Sequence, residues 1–247
     1  MFNQKKILLT SILISYLLFP VVNATATVFE APDANSNGWG GWTRGDLGTL
    51  YAQWEIFSGS QFFPPVDETP DVGIDNVTLA RVRDISLGET AQFTGSGNIY
   101  NLVEINRIAI TITGDSNGPT SGPVQVVAQM ATLGTVYDFL RLEGNEADQI
   151  TVLRSDEGTF TPPGGVGEQP STNEEILFVW NLPNAQSNYN FEMLASDTSL
   201  SFDAFSVDIG PISTAPGPNS VSVPIPIPFL VLAGLLLTII GWTNSRN

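Results

Sequence analysis

The sequence of 247 residues contains no cysteine and no histidine, and these two absences exclude several kinds of chemistry. Without histidine there is no Ser-His-Asp or Cys-His nucleophile and no zinc site built on imidazole. Without cysteine there is no thiolate metal site and no disulfide framework, so a folded domain has to be stable without them. What remains is carboxylate chemistry and the binding of hard cations such as calcium through oxygen ligands.

Lysine is the next scarce residue, because the two lysines of the chain lie at positions 5 and 6. Residues 25–212 carry six arginines against 25 acidic residues, which gives this region a net charge of −19. The lack of lysine there excludes Schiff-base chemistry and Ser-Lys dyads. A surface of this charge repels nucleic-acid phosphates, so we expect no nucleic-acid partner.

The first residues have the pattern of an export signal. Lys5 and Lys6 precede an apolar run from Ile7 to Val22, and small residues follow at Ala24 and Ala26. This order predicts a secretory signal peptide over residues 1–24, with an apolar signal helix. An uncleaved signal anchor is the alternative.

The last residues form a second apolar segment, which carries no charge from Phe229 to Trp242. Counted back to Val223 it has about 20 residues, enough for a helix across a hydrocarbon core of about 30 Å. Proline is tolerated in the first turn of a helix, so we predict a transmembrane helix that begins near Pro228. Arg246 at the far end would stay in the cytoplasm.

Between these ends the pattern predicts β-structure throughout. Short segments rich in Val, Ile, Thr, Phe or Tyr are bounded by Gly, Pro, Asn or Asp, and no stretch has an apolar period of 3.6. Residues 107–113 alternate apolar and polar side chains, as a strand with one buried face does. The predicted strands are 27–30, 49–57, 78–82, 90–93, 98–103, 107–113, 124–131, 136–142, 149–153, 175–182, 191–195 and 200–209. We therefore predict an all-β fold, an antiparallel β-sandwich of jelly-roll type.

The chain divides into four parts on this interpretation: a signal peptide (1–24), a β-sandwich ectodomain (25–212), a Pro/Gly/Ser linker (213–222) and a C-terminal sorting or anchoring segment (223–247). Within the ectodomain, residues 114–119 and 156–170 are predicted loops. The second of these contains Thr161–Gly165 and is the best candidate for a mobile insertion.

Two groups of oxygen ligands make a structural calcium ion a candidate cofactor. Asp33 begins the pattern D-x-N-x-N-G, but Arg44 stands where an EF-hand loop needs its bidentate acid. An EF-hand loop is therefore not supported, and Asx-type turn chemistry explains the same residues. The other group is Glu30, Asp203 and Asp208, which would meet if the first and last strands of a jelly roll are neighbours.

Aromatic residues near the N-terminus are candidate contacts for a glycan. Trp39, Trp42 and Tyr51 could stack on sugar rings, whereas Trp54 lies inside a predicted strand and is expected in the core. The alternative for Trp39 and Trp42 is that they cover the edge of this core. A carboxylate-based polysaccharide hydrolase is a further, less favoured hypothesis, with the candidates Glu55, Asp71, Asp75 and Asp203.

The C-terminal segment resembles a known sorting signal. Val223-Pro224-Ile225-Pro226, the apolar helix containing Ala233-Gly234-Leu235-Leu236 and the basic end at Arg246 are similar to the PEP-CTERM signal of the VPLPA or VPEP type. Many members have glutamate at the position of Ile225 and a basic cluster at that of Arg246. The resemblance implies that an exosortase, a membrane cysteine peptidase, cuts near the proline motif and releases or transfers the exported domain. A plain single-pass anchor is the alternative.

The body of the chain extends this resemblance. Segments such as Trp42-Thr43-Arg44-Gly45-Asp46 and Thr49-Leu50-Tyr51-Ala52-Gln53-Trp54 resemble segments that recur in uncharacterised PEP-CTERM exported proteins. This implies a bacterial protein that is first anchored in the membrane and then lies at the cell surface or outside the cell. It implies no catalytic residue. We therefore expect a non-enzymatic surface or matrix protein, with a carbohydrate-binding module as the alternative.

Overall fold

A computed structural model describes residues 29–33, 38–57, 67–93, 97–101, 103–160, 169–198 and 200–212. These residues contain thirteen strands and no helix, and every strand pair is antiparallel. The strands are β1 (Leu50–Trp54), β2 (Asp67–Glu68), β3 (Gly73–Asp75), β4 (Val77–Asp84), β5 (Gln92–Phe93), β6 (Ile99–Tyr100), β7 (Arg107–Gly114), β8 (Val124–Gly134), β9 (Tyr137–Leu142), β10 (Gln149–Phe160), β11 (Gln169–Leu182), β12 (Asn188–Ala195) and β13 (Ser201–Pro211). The predicted signal helix, linker and transmembrane helix lie outside the described residues.

The strands form two sheets that pack as a β-sandwich. The large sheet has the order β10-β11-β8-β13-β1-β3, and the small sheet has the order β2-β4-β7-β12-β9. Strand β6 pairs with the beginning of β13 and with β5, so β6 and β1 lie along the same edge of β13. The predicted all-β, antiparallel architecture is confirmed.

The core lies between the sheets and follows from alternation along the strands. In β7, Ile108, Ile110 and Ile112 are fully buried while the residues between them are not, as the period of two predicts. Large aromatic side chains fill the centre of the core. Phe205 contacts Trp54, Phe191 and Phe202 at ring-centroid distances of 6.2, 5.8 and 5.9 Å. The prediction that Trp54 belongs to the core is confirmed.

Three predictions about the strands need correction. Residues Asp156–Phe160 and Gln169–Pro170 belong to β10 and β11, whereas a loop was predicted from 156 to 170; residues 161–168 lie outside the described ones. These two segments form strands because they pair with each other. Phe29 and Glu30 are not in a strand, and the short strands β2 and β3 were not predicted. Strands of two or three residues carry no readable alternation.

Candidate functional site

The outer face of the large sheet, which is the face turned away from the core, carries buried polar side chains. In β13, Ala204, Ser206 and Asp208 alternate with Phe205 and Val207, which belong to the core. The outward set would face solvent if nothing lay over it. Instead, residues 29–33 and 38–46, called here the N-terminal strap, cross this face and bury it.

Apolar contacts hold the strap at three points. Phe29 packs on Ala131 and Ala204. Trp39 packs on an apolar patch of the large sheet that comprises Val127, Leu177 and Val179. Trp42 lies directly on Gly210, where an added Cβ atom would come within 2.3 Å of the indole ring. The absence of a side chain at Gly210 is therefore what allows Trp42 to lie flat on the sheet.

Glutamine side chains tie the backbone of the strap to β8. The amide of Glu30 donates to Gln129 Oε1 at 2.9 Å, and Gln129 Nε2 donates back to the carbonyl of Glu30 at 2.8 Å. The amide of Gly40 donates to Gln125 Oε1 at 3.0 Å. These bonds satisfy backbone groups that the strap, which is not part of the sheet, would otherwise leave unpaired.

An ion pair at the end of the strap joins residues 164 positions apart. Arg44 Nε and Nη2 donate to the two carboxylate oxygens of Asp208 at 2.6 and 2.7 Å, a bidentate arrangement. The guanidinium carbon lies 3.8 Å from the centre of the Tyr51 ring, and Nη2 also donates to the carbonyl of Glu30 at 3.3 Å. Tyr51 Oη in turn donates to Gln53 Oε1 at 2.6 Å.

Burial dominates the electrostatics of this group. It raises the pKa of Asp208 to about 6, while the hydrogen bonds and the charge of Arg44 keep it from rising further. Burial alone would lower the pKa of Arg44, but its bonds and attraction to Asp208 outweigh this and raise it. Burial also raises the pKa of Tyr51, against the nearby charge of Arg44. Both oxygens of Asp208 are engaged, so this group is arranged to lock the strap in place.

The structure places the three candidate glycan residues in or under the strap. Trp39, Trp42 and Tyr51 are only 3%, 9% and 8% exposed. The indole nitrogens of Trp39 and Trp42 and the hydroxyl of Ser206 are buried without a hydrogen-bond partner among the described residues. Glycan binding here stays a prediction, and it would require the strap to lift from the sheet.

The candidate calcium ligands Glu30, Asp203 and Asp208 lie along the path of the strap and β13. The prediction placed Glu30 in a first strand beside the last one, but Glu30 lies in the strap, which crosses β13 at Ala204. Asp208 is held by Arg44, and Asp203 lies at a β-bulge, where Ser201 Oγ donates to it at 3.0 Å. Within the described ranges, no three His, Cys, Asp or Glu side chains group closely enough to hold a metal ion. Calcium binding stays a prediction, and residues 34–37 of the loop that begins at Asp33 lie outside the described residues.

The remaining candidate carboxylates hold the chain's own groups. Asp71 accepts the backbone amides of Glu55 and Ile56 at 2.8 and 3.0 Å. Glu55 accepts Gln53 Nε2 at 2.7 Å. Asp75 lies near Arg44 and Asp208, and its negative charge helps to raise the pKa of both groups. Glu55 and Asp71 are therefore neighbours, and both Glu55 and Asp75 lie near Tyr51, so the hydrolase hypothesis stays a prediction.

A second polar cluster, which was not predicted from the sequence, is centred on the fully buried Asp84. Its carboxylate accepts the amide and hydroxyl of Ser86 at 2.9 and 2.7 Å and the amide of Ala91 at 2.9 Å. Asn101 beside it accepts the amides of Val103 and Glu104. The network fixes two loops at one end of the sandwich. The aspartate of an Asp-x-Ser turn was the available signal, but a turn motif alone does not reveal burial.

The part of the chain that the structure describes contains no helix with the length and apolar character needed to cross a bilayer. The sorting residues Val223, Pro224, Ile225 and Pro226 lie outside it. No family model, no curated protein and no solved structure matches this chain.

Proposed function

We propose that this chain is an exported, non-enzymatic protein of the cell surface or extracellular matrix. Its C-terminal tail anchors it in the membrane and presents the proline motif to an exosortase-type peptidase. The position of β13 carries the proposal. This strand ends one residue before Ile212, and only residues 213–222 separate Ile212 from the motif at Val223.

Strand β13 is well suited to connect a domain to an anchor. It pairs along one edge with β8, from Ser201 to Pro211, and along the other with β6 and β1. A force on the tail would therefore pass into a strand with hydrogen bonds on both edges, at the centre of the large sheet. We further propose that the sandwich is of jelly-roll type, which is supported by the repeated change of sheet along the strands from β8 to β13.

The roles of the acidic residues support a non-enzymatic protein. Asp71, Asp203 and Asp208 are each bonded to groups of the chain itself, and Asp208 has both oxygens engaged by Arg44. A glycosidase needs two carboxyl groups that face a common substrate site. The hydrogen bonds of these three carboxylates stabilise the fold, which fits a surface domain without catalytic activity.

The test is the intact mass of the chain in membrane and medium fractions of its native host. Processing predicts that the double variant Pro224→Ala/Pro226→Ala accumulates in the membrane with its tail intact. The matched control is Pro216→Ala/Pro218→Ala, which removes two prolines from the linker and should be processed like the wild type. Equal processing of both double variants would contradict recognition of the proline motif.

A further inference from the structure

Strand β10 forms an open edge of the large sheet. It has 12 residues and stands first in the strand order, and no described strand pairs with its outer side. Edge strands are commonly protected by shortness, proline or lysine. Strand β10 is long and contains neither residue. Among the described residues, its protection is limited to a β-bulge at Leu153 and the charged side chains of Arg154, Asp156 and Glu157.

The inner side of β10 carries exposed apolar side chains. Ile150 and Val152 pair with Phe178 and Ile176 of β11, which are fully buried in the core. They therefore point toward the core side of the sheet, yet they are 51% and 54% exposed. The cause is that β9, the last strand of the small sheet, packs through Tyr137 against Phe178 of β11 and leaves β10 overhanging. Contact with another molecule would remove this apolar surface from water.

The charges of β10 complement those of a second β10 in one particular register. In antiparallel self-pairing about a two-fold axis at Ser155, Arg154 of each copy lies opposite Asp156 of the other. An axis at residue 154, 156 or 157 would instead place Arg154, Asp156 or Glu157 opposite its own copy. Arg154 already contacts Asp156 and Glu175 within one chain, and its exposed pair with Asp156 can be shared with a second copy.

We propose that β10 is a self-association edge, through which a second copy of this chain pairs in antiparallel orientation about a two-fold axis at Ser155. The two large sheets become one continuous sheet, and the overhanging Ile150 and Val152 side chains of each copy lie beside the second half of the partner's β10, beyond Ser155, where contact covers part of their exposed surface. The bulge at Leu153 interrupts the ladder on each side of the axis, so the association is weak and reversible. Anchoring in a membrane strengthens it, because it raises the effective concentration of neighbouring copies. This inference does not rest on processing of the tail.

The absence of cysteine allows a direct test. A two-fold axis at Ser155 places the two copies of that residue opposite each other, about 5 Å apart between Cα atoms and within disulfide range. We expect full-length Ser155→Cys, in mild detergent with a mild oxidant, to give a disulfide-linked dimer on a non-reducing gel. The matched control is Ser121→Cys, an exposed serine in the β7–β8 loop. Both variants carry the same apolar tail, so association through the tail would give them the same dimer yield. A dimer yield no higher than that of the control would overturn the proposal.

Charge reversal in the Ser155→Cys background tests the register. Arg154→Asp and Asp156→Arg, each alone, place like charges opposite each other and should reduce the cross-linked fraction several-fold. The combination of both restores opposite charges and should restore the dimer. Cross-linking that is insensitive to the single changes, or that the double change fails to restore, would contradict pairing at this register. Loss of folding in a single variant would leave the comparison of Ser155→Cys with Ser121→Cys as the deciding result.

Discussion

Asp203 makes the stability of the domain depend on pH in a direction that the structure fixes. Burial raises the pKa of Asp203 to about 7, against hydrogen bonds from Ser201 and Asn98. An unfolded aspartate has a pKa of about 3.9, so the folded state binds the proton more tightly. Ionised Asp203 therefore lowers stability above about pH 7, and this loss disappears as the pH falls toward 4.

Asp203→Asn should remove this dependence. We expect the variant to have a higher free energy of unfolding than the wild type at pH 8, and a smaller gain in stability between pH 8 and pH 5. Urea unfolding at the two pH values measures both quantities. The control is Asp197→Asn, which removes the same charge from an exposed position. If Asp203→Asn keeps the same dependence on pH as the wild type and the control, the raised pKa of Asp203 is contradicted.

The packing of the Trp42 ring on the large sheet depends on Gly210. A methyl group there would come within 2.3 Å of the indole ring, so Gly210→Ala has to displace the ring and this part of the strap. Overpacking of this kind destabilises proteins by about 1–3 kcal/mol. We expect a lower free energy of unfolding together with a more solvent-exposed tryptophan emission. Gly158→Ala is the control, because an added Cβ there meets nothing within 4 Å. Equal effects of the two changes would rule out the proposed stacking.

At the scale of elements, the ion pair of Arg44 and Asp208 fastens the strap to β13. Arg44→Ala would leave the Asp208 carboxylate buried and unpaired, which should lower the free energy of unfolding by about 3 kcal/mol. The double change Arg44→Ala/Asp208→Asn should lower it less, because no buried charge is left. Urea unfolding of the single and double variants measures the difference.

A matched control for the strap is available on the small sheet. Arg107 also forms an ion pair at 2.6 Å, with Glu192, but both side chains are substantially exposed. Exposed pairs contribute at most about 1 kcal/mol, so Arg107→Ala should change stability little. An Arg44→Ala variant as stable as Arg107→Ala would mean that Asp208 does not depend on the strap for its partner.

The strands that alternate clearly could be predicted from the sequence, and those that depend on a partner could not. Strand β7 shows its buried isoleucines in the sequence itself. The second half of β10, with Ser155, Asp156 and Gly158, has no such pattern and forms a strand because it pairs with β11. Local periodicity carries no information about which strand will be the neighbour.

The candidate site was predictable in its residues and not in its contacts. Trp39, Trp42 and Arg44 stand out in the sequence as aromatic and cationic residues close together. Their partners lie far along the chain: Arg44 binds a carboxylate 164 positions away, and Trp42 rests on a glycine. A glycine in a strand has many explanations, and 25 acidic residues were available to pair with Arg44. Neither partner could therefore be identified before the fold was known.

At the scale of the whole molecule, a compact acidic sandwich occupies the chain between two apolar terminal segments. The described strands begin at Leu50 and end at Pro211, and the strap before them closes one face of the large sheet. The sequence beyond Val223 has the order of proline motif, apolar run and basic end. We propose on these grounds that the sandwich is a surface domain whose tail directs it to the membrane.

The decisive experiment is to measure the intact mass of the wild-type protein in membrane and medium fractions of its native host. We expect a species outside the membrane that lacks about residues 1–24 and everything from near Val223 onward. A single membrane-bound species that retains Phe229–Asn247 would contradict it. The protein would then be a permanently tethered ectodomain, and its function would have to be sought at that membrane.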